Sequence, residues 1–161
     1  GALESGLHYM RIVPRMIAEK LIHNDVAAHD VSTSLIDYKM WCFNGVCHYI
    51  WVCANRDEQS TEVMTYDCDW NAHPEYSIFE DGYRHGALLP KPKNLERMIE
   101  VAEKLAEDFP CVRVDLYNVG GKIYFGELTF TSYGGLMDFY TDEFQRLAGR
   151  QIDLSRVKTI R

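Results

Sequence analysis

The chain contains no C-x-x-C pair. Structural zinc sites usually present closely spaced cysteine or histidine pairs, so a zinc knuckle is not expected. The histidines, His8, His23, His29, His48, His73 and His85, show no H-x-x-x-H or comparable ligand spacing and read as surface or half-buried residues. No apolar run approaches the roughly 20 residues that span a bilayer. Basic residues are the minority, 17 against 24 acidic ones for a net charge of −7, which argues against nucleic acid or an anionic membrane as the main partner. No basic start leads into an apolar stretch and a small-residue cleavage site, so no signal peptide is expected and the chain is expected to be cytoplasmic. An odd number of cysteines in such a chain is expected to stay as reduced thiols.

What is present is an ordinary globular mix, 47% hydrophobic and 25% charged. It excludes a collagen-like or low-complexity chain, and 161 residues fit one domain with one comfortable core. Met16 to Ile22 reads as a short buried strand entered through Pro14. Asp37 to Phe43 and Val46 to Ala54 form a hairpin around Asn44-Gly45, a strong two-residue turn signal. That turn pairs Phe43 with Val46, Cys42 with Cys47 and Lys39 with Ile50. Thr61 to Tyr66 adds a strand. Cys68 to Leu89 carries turn residues without a period and reads as a long loop.

Leu95, Met98, Ile99, Ala102, Leu105 and Ala106 form one apolar stripe of a helix over Leu95 to Asp108. Asn94 is placed to cap its start, and Phe109-Pro110 ends it. Cys111 to Asn118 and Ile123 to Thr131 are two strands about Gly120-Gly121. Thr141 to Leu147 reads as a short final helix with Gly149 beyond its end. Strands, helix, hairpin, helix predicts an α+β fold with a mainly antiparallel sheet and packed helices.

The Gly120-Gly121 hairpin is the most specific feature. Alternation puts Arg113, Asp115 and Tyr117 on one strand face, and Ile123, Phe125, Glu127, Thr129 and Thr131 on one face of the next. A two-residue loop pairs Asp115 with Gly126 and sends Glu127 to the other side. A three-residue loop, or a bulge that compensates for a two-residue one, pairs Asp115 with Glu127 and Arg113 with Thr129. Two facing carboxylates repel, and a divalent cation relieves that cost. Hard oxygen ligands with room for phosphates suit magnesium, and Arg113 suits a phosphate or a developing oxyanion. The residues alone leave a second reading open: a solvated face on which Arg113 simply pairs with an acid.

The strings Arg113-Val-Asp-Leu-Tyr117 and Phe125-Gly-Glu-Leu-Thr-Phe130 resemble the metal-binding hairpin of ATP-grasp enzymes. Asp37-Tyr-Lys-Met-Trp-Cys-Phe-Asn-Gly45 and Ile17-Ala-Glu-Lys-Leu-Ile22 resemble two earlier stretches of that fold. Together, over about Pro14 to Gly149, they most resemble the TupA-like ATP-grasp family, associated with bacterial surface polysaccharide and teichuronopeptide synthesis. The resemblance implies that Asp115 and Glu127 are magnesium ligands. It places Thr129 where many ATP-grasp enzymes carry an asparagine ligand, and Arg113 as the arginine that stabilises the transferred phosphate. Glu19, Lys20 and Leu21 look like the hinge that meets adenine, Asp37 is placed near ribose, and Lys39 near phosphate or substrate. In the family the Thr131-Ser-Tyr-Gly-Gly135 loop helps shape the acceptor and phosphate site.

The function so implied is ATP- and magnesium-dependent ligation of a carboxylate to an amine through an acylphosphate, with a polysaccharide precursor as acceptor. Two alternatives stand beside it: an inactive binding or assembly domain that keeps the fold, and a metal-dependent hydrolase using Asp115 and Glu127 to activate water. Residues 1–12 are expected to be a lead-in or cloning remnant. Residues 13–161 are expected to be a single ATP-grasp-like C-terminal domain, completed by a preceding nucleotide-covering lobe.

Overall fold

The computed structural model describes residues 13–24, 30–79, 82–135 and 137–156. The expected lead-in, 1–12, lies outside the described residues. Among the described residues six strands make one sheet: β1 (Asp37–Phe43), β2 (Val46–Ala54), β3 (Thr61–Asp67), β4 (Tyr83–His85), β5 (Cys111–Val119) and β6 (Lys122–Thr129). Their spatial order is β4-β3-β2-β1-β5-β6, and every neighbouring pair is antiparallel except β3 with β4. Helix α1 (Leu95–Ala106) lies between β4 and β5 in the chain, and α2 (Asp142–Gly149) follows β6. The fold is α+β, as the element order implied.

Each sheet face has its own apolar layer, because side chains alternate along a strand. On one face Met40, Cys42, Ile50, Val52, Val112, Val114 and Leu116 meet Leu95, Met98, Ala102 and Ala106 of α1. Those four helix residues follow the 3.6-residue period and are buried, while Leu105 at the flank of the stripe is exposed. On the other face Trp41, Phe43, Trp51 and Val63 meet Phe139, Tyr140 and Phe144. Phe139 stacks on Trp51 with centroids 4.6 Å apart, and Trp41 Nε1 donates to the Tyr140 hydroxyl at 3.1 Å. Thr141 caps α2, its side chain accepting from Phe144 N–H.

The structure departs from the sequence reading at six places. Met16 to Ile22 is neither buried nor a strand: 13–21 is exposed, extended chain without ladder pairing, and Met16, Ile17 and Leu21 face solvent. The 68–89 stretch is not all loop, since Tyr83–His85 adds in parallel to β3 and Pro74–Tyr76 forms a 3-10 turn. Lys39 pairs with Trp51 rather than Ile50, because His48 is an extra residue in β2 that shifts the register beyond Cys42–Cys47. Asn94 does not cap α1 with its side chain. It donates to Gly121 C=O at 2.9 Å and accepts from Asn118 at 2.6 Å, tying the helix start to the β5–β6 turn. Finally, β6 ends at Thr129, and Gly149 is the last residue of α2.

All five thiols are free. Cys42 and Cys47 face each other across the first hairpin. Hydrogen bonding to Cys42 and Cys68, with burial, pushes the Cys47 thiol well up. The half-buried Cys68 is held below the usual thiol range by the Cys47 hydrogen bond. Native alkylation should therefore modify Cys68 first and reach Cys42 and Cys47 only on unfolding. Mass analysis of partially alkylated protein checks the order.

Candidate functional site

The β5–β6 hairpin turns on Gly120-Gly121, with φ of +58° and +80°, so the loop is the two-residue kind. A loop of that length alone would place Asp115 opposite Gly126. Instead Gly126 is an extra, bulged residue: Leu116 pairs with Phe125, and Asp115 pairs with Glu127. The compensating bulge turns both carboxylates to one face, with Arg113 opposite Thr129.

Glycine is needed at the bulge because the backbone of β5 comes close. A Cβ on Gly126 would lie 3.0 Å from the Asp115 carbonyl oxygen and 3.3 Å from Tyr117 Cε2. Gly126→Ala should cost about 1–3 kcal/mol through overpacking and turn Glu127 away from Asp115. A denaturant midpoint that does not move would contradict this.

Arg113 is the centre of the site. Its Nε donates to Asp115 Oδ1 at 2.7 Å, and its Nη1 donates to Ser132 Oγ at 3.1 Å. Its Nη2 donates to Asp115 Oδ2 at 2.8 Å, Glu127 Oε1 at 3.0 Å and Thr129 Oγ1 at 3.0 Å. Trp41 lies against the guanidinium, 5.9 Å from its centroid. On the next strand, Lys39 Nζ bridges Asp37 Oδ2 at 2.7 Å and Asp115 Oδ2 at 2.5 Å. Arg56, just past β2, reaches Asp37 at 3.5 Å. The other Asp37 oxygen, Oδ1, is buried without a partner.

Burial separates the two facing carboxylates. Asp115 has 3% of its side chain exposed, and Glu127 has 61%. Burial alone would lower the Arg113 and Lys39 pKa values, but the carboxylates outweigh it. Asp115 first, then Glu127 and Asp37, raise Arg113, and Asp37 with Asp115 raises Lys39. Both stay cationic, as charges held among carboxylates do. Cys53, which pairs with Asp37, is pushed up to about 12 by burial and then by that carboxylate. It is not a thiolate nucleophile.

The donor set fits a divalent cation in kind. Asp115, Glu127 and Thr129 present three hard oxygens to one point, the position of Arg113 Nη2. Among the described residues no third His, Cys, Asp or Glu joins them as a metal-ligating group. Magnesium commonly takes one or two carboxylates and completes its shell with phosphate oxygens and water.

The hinge residues lie elsewhere along the hairpin. Glu19, Lys20 and Leu21, with Ile22 and His23, line a cleft of about 590 Å³ against Val119, Lys122, Tyr124 and Phe125. The cleft thus lies at the turn end of the hairpin, and because Phe125 pairs with Leu116 while Glu127 pairs with Asp115, the Gly126 bulge turns Ile123 and Phe125 to the sheet face opposite Glu127, not to the shared face that plain alternation predicted. Asp37 and Lys39 are drawn into the Asp115 network and do not line that cleft.

Three contributors were not assigned a role from the sequence, although Trp41 and Ser132 lie in stretches it singled out. Trp41 shares the face of Asp37 and Lys39, which strand alternation could have shown. Ser132 needs the return of the 131–135 loop over β5. In that loop Tyr133 has φ +50°, and its hydroxyl meets that of Tyr83 at 2.6 Å. Arg56 has no spacing that would mark it.

An α+β sheet whose edge hairpin gathers two carboxylates, a hydroxyl and an arginine on one face agrees with the ATP-grasp resemblance. The chain belongs to the TupA-like ATPgrasp family, whose model matches residues 3–153. Comparisons with curated proteins and with solved structures gave no match. Among the described residues, no helix is long and apolar enough to cross a membrane.

Proposed function

We propose that this chain binds ATP with magnesium and serves the ligation of a carboxylate to an amine through an acylphosphate. The observation that supports the reading is the convergence of Asp115, Glu127 and Thr129 oxygens on one point beside a buried arginine. Asp115 and Glu127 would hold magnesium, which supplies charge neutralisation for the nucleotide phosphates. Arg113 would present its guanidinium to the transferred phosphate, held in place by Ser132 and Trp41. Lys39 would balance Asp115 from the β1 side and face substrate or phosphate. Glu19, Lys20 and Leu21 would receive the adenine in the cleft beside β6, with Asp37 nearer the ribose. The 131–135 loop would shape the acceptor site, and a surface polysaccharide or its precursor is the acceptor the family points to. Catalysis in this scheme is positioning and electrostatics. The chain would act as the C-terminal part of the ligase, in the cytoplasm.

Calorimetry with ATP, with and without magnesium, tests the reading. It expects heat that requires the metal, and absence of heat at millimolar nucleotide sinks it. A second reading, a domain that keeps the fold without turnover, is favoured by the saturation of Asp115 by Arg113 and Lys39. It predicts no carboxylate-dependent release of phosphate from ATP.

A further inference from the structure

We propose that Arg113 is a built-in counter-cation that competes with the divalent ion for Asp115 and Glu127, so that cation and nucleotide bind this site together and poorly apart. The inference rests on the nucleotide-binding reading above. It adds a gating role for Arg113 before any phosphate is transferred.

The geometry carries it. Both oxygens of Asp115 are already taken by cationic donors: Oδ1 by Arg113 Nε, and Oδ2 by Arg113 Nη2 and Lys39 Nζ. Glu127 Oε1 and Thr129 Oγ1 share the same Nη2. One guanidinium nitrogen thus sits where three candidate ligand oxygens meet. An ion that approaches those oxygens to roughly 2.0–2.1 Å must displace it, because two cations cannot share the same lone pairs at that range.

Displacement alone is unfavourable. Arg113 is 6% exposed, and a guanidinium swung off Glu127 and Thr129 needs another acceptor in a place that water reaches poorly. Nucleotide phosphate oxygens are such acceptors, and arginine binds them through paired N–H groups. Ser132 and Trp41 hold the other side of the guanidinium, so it can turn without leaving the site. Nucleotide without cation meets the mirror problem, since its phosphates face two carboxylates. Each ligand removes the obstacle to the other, which is reciprocal coupling between two sites.

The test uses Mn²⁺ alone, read by water-proton relaxation, and ADP, read by calorimetry with and without Mg²⁺. In the unmodified chain Mn²⁺ alone should bind weakly, and Mg²⁺ should tighten ADP by about 5–150-fold. Arg113→Met should tighten Mn²⁺ alone by at least about fivefold and bring the ADP coupling towards one. If the variant binds Mn²⁺ no tighter than the parent, the proposal is overturned and Arg113 is a phosphate ligand only. If the parent binds no nucleotide with Mg²⁺, the functional reading fails and takes the nucleotide coupling with it. The Mn²⁺ comparison still decides whether Arg113 blocks the carboxylates. Circular dichroism and a denaturant midpoint establish that the variant folds. Should Arg113→Met not fold, Arg113→Lys keeps a charge but lacks the guanidinium fork, so one ammonium cannot reproduce the two-pronged contact with Asp115 while also reaching Ser132. Its Mn²⁺ binding should tighten by a smaller factor, and no tightening overturns the proposal equally.

Discussion

Asp115→Ala should cost the domain about 3–5 kcal/mol, the loss expected when one partner of a buried charge pair is removed. The small side chain it deletes is not the reason. Asp115 is the shared counter-ion of Arg113, which is buried, and Lys39, which is half-buried, on the same sheet face. Without it, Asp37 still balances Lys39, and Glu127 reaches Arg113 from a mostly exposed position. Nothing replaces the two-pronged contact of Arg113 Nε and Nη2 with Asp115. A domain holds only about 5–15 kcal/mol in total, so the loss is a large share of its stability. A shift of the urea midpoint, with unchanged slope, measures it. Glu127→Ala is the control on the facing strand. With 61% of that side chain exposed, its contact with Arg113 is screened, and its loss should stay within about 1 kcal/mol. Equal losses at the two positions would mean that burial does not divide their roles.

The order reverses for ligand binding. Glu127→Gln keeps the shape and the contact with Arg113 but removes the charge. Charge stabilisation by a bound metal is worth several kcal/mol, so magnesium-dependent nucleotide affinity should fall by about 100-fold or more. Stability should barely change, for the reason given above. Calorimetry with ATP and Mg²⁺ reads the first effect and thermal unfolding the second. An unchanged affinity would remove Glu127 from the ligand set. It would leave the hairpin as the solvated charged face that its residues also allowed.

Much of the hairpin was legible. Period-two alternation placed Arg113 with Asp115 and Glu127 with Thr129, and the family strings singled out the same residues. The α1 face was legible for the same kind of reason: Leu95, Met98, Ala102 and Ala106 obey a local period that packing then satisfies. The short strand Tyr83–His85 was not, since three residues carry no period and its pairing partner Thr61–Val63 lies more than 20 residues away. Met16 to Ile22 misled in the opposite direction. Its apolar residues read as a buried strand, yet no strand pairs with it among the described residues, and most of it is exposed.

The thiols and the carboxylates show where local sequence ends. By itself the sequence determined the absence of C-x-x-C pairs, the acidic balance, the α+β order of elements, and the pairs Arg113 with Asp115 and Glu127 with Thr129, though not the extension of the second face to Ile123 and Phe125. It also determined the Asn44-Gly45 turn and marked Gly120-Gly121 as the site of the second, because both pairs tolerate the positive φ that two-residue hairpins require, but it left the length of the second loop open. Only the tertiary structure decided that each hairpin carries one extra residue, His48 in β2 and Gly126 in β6. A bulge is chosen by what packs on both faces of the completed sheet, and no spacing within one strand encodes it. The bulge in β6 set Asp115 opposite Glu127, while the pairing of β1 with β5 and the return of the 131–135 loop brought Lys39 and Trp41, from one strand, and Ser132, from a distant loop, to the Arg113–Asp115 pair.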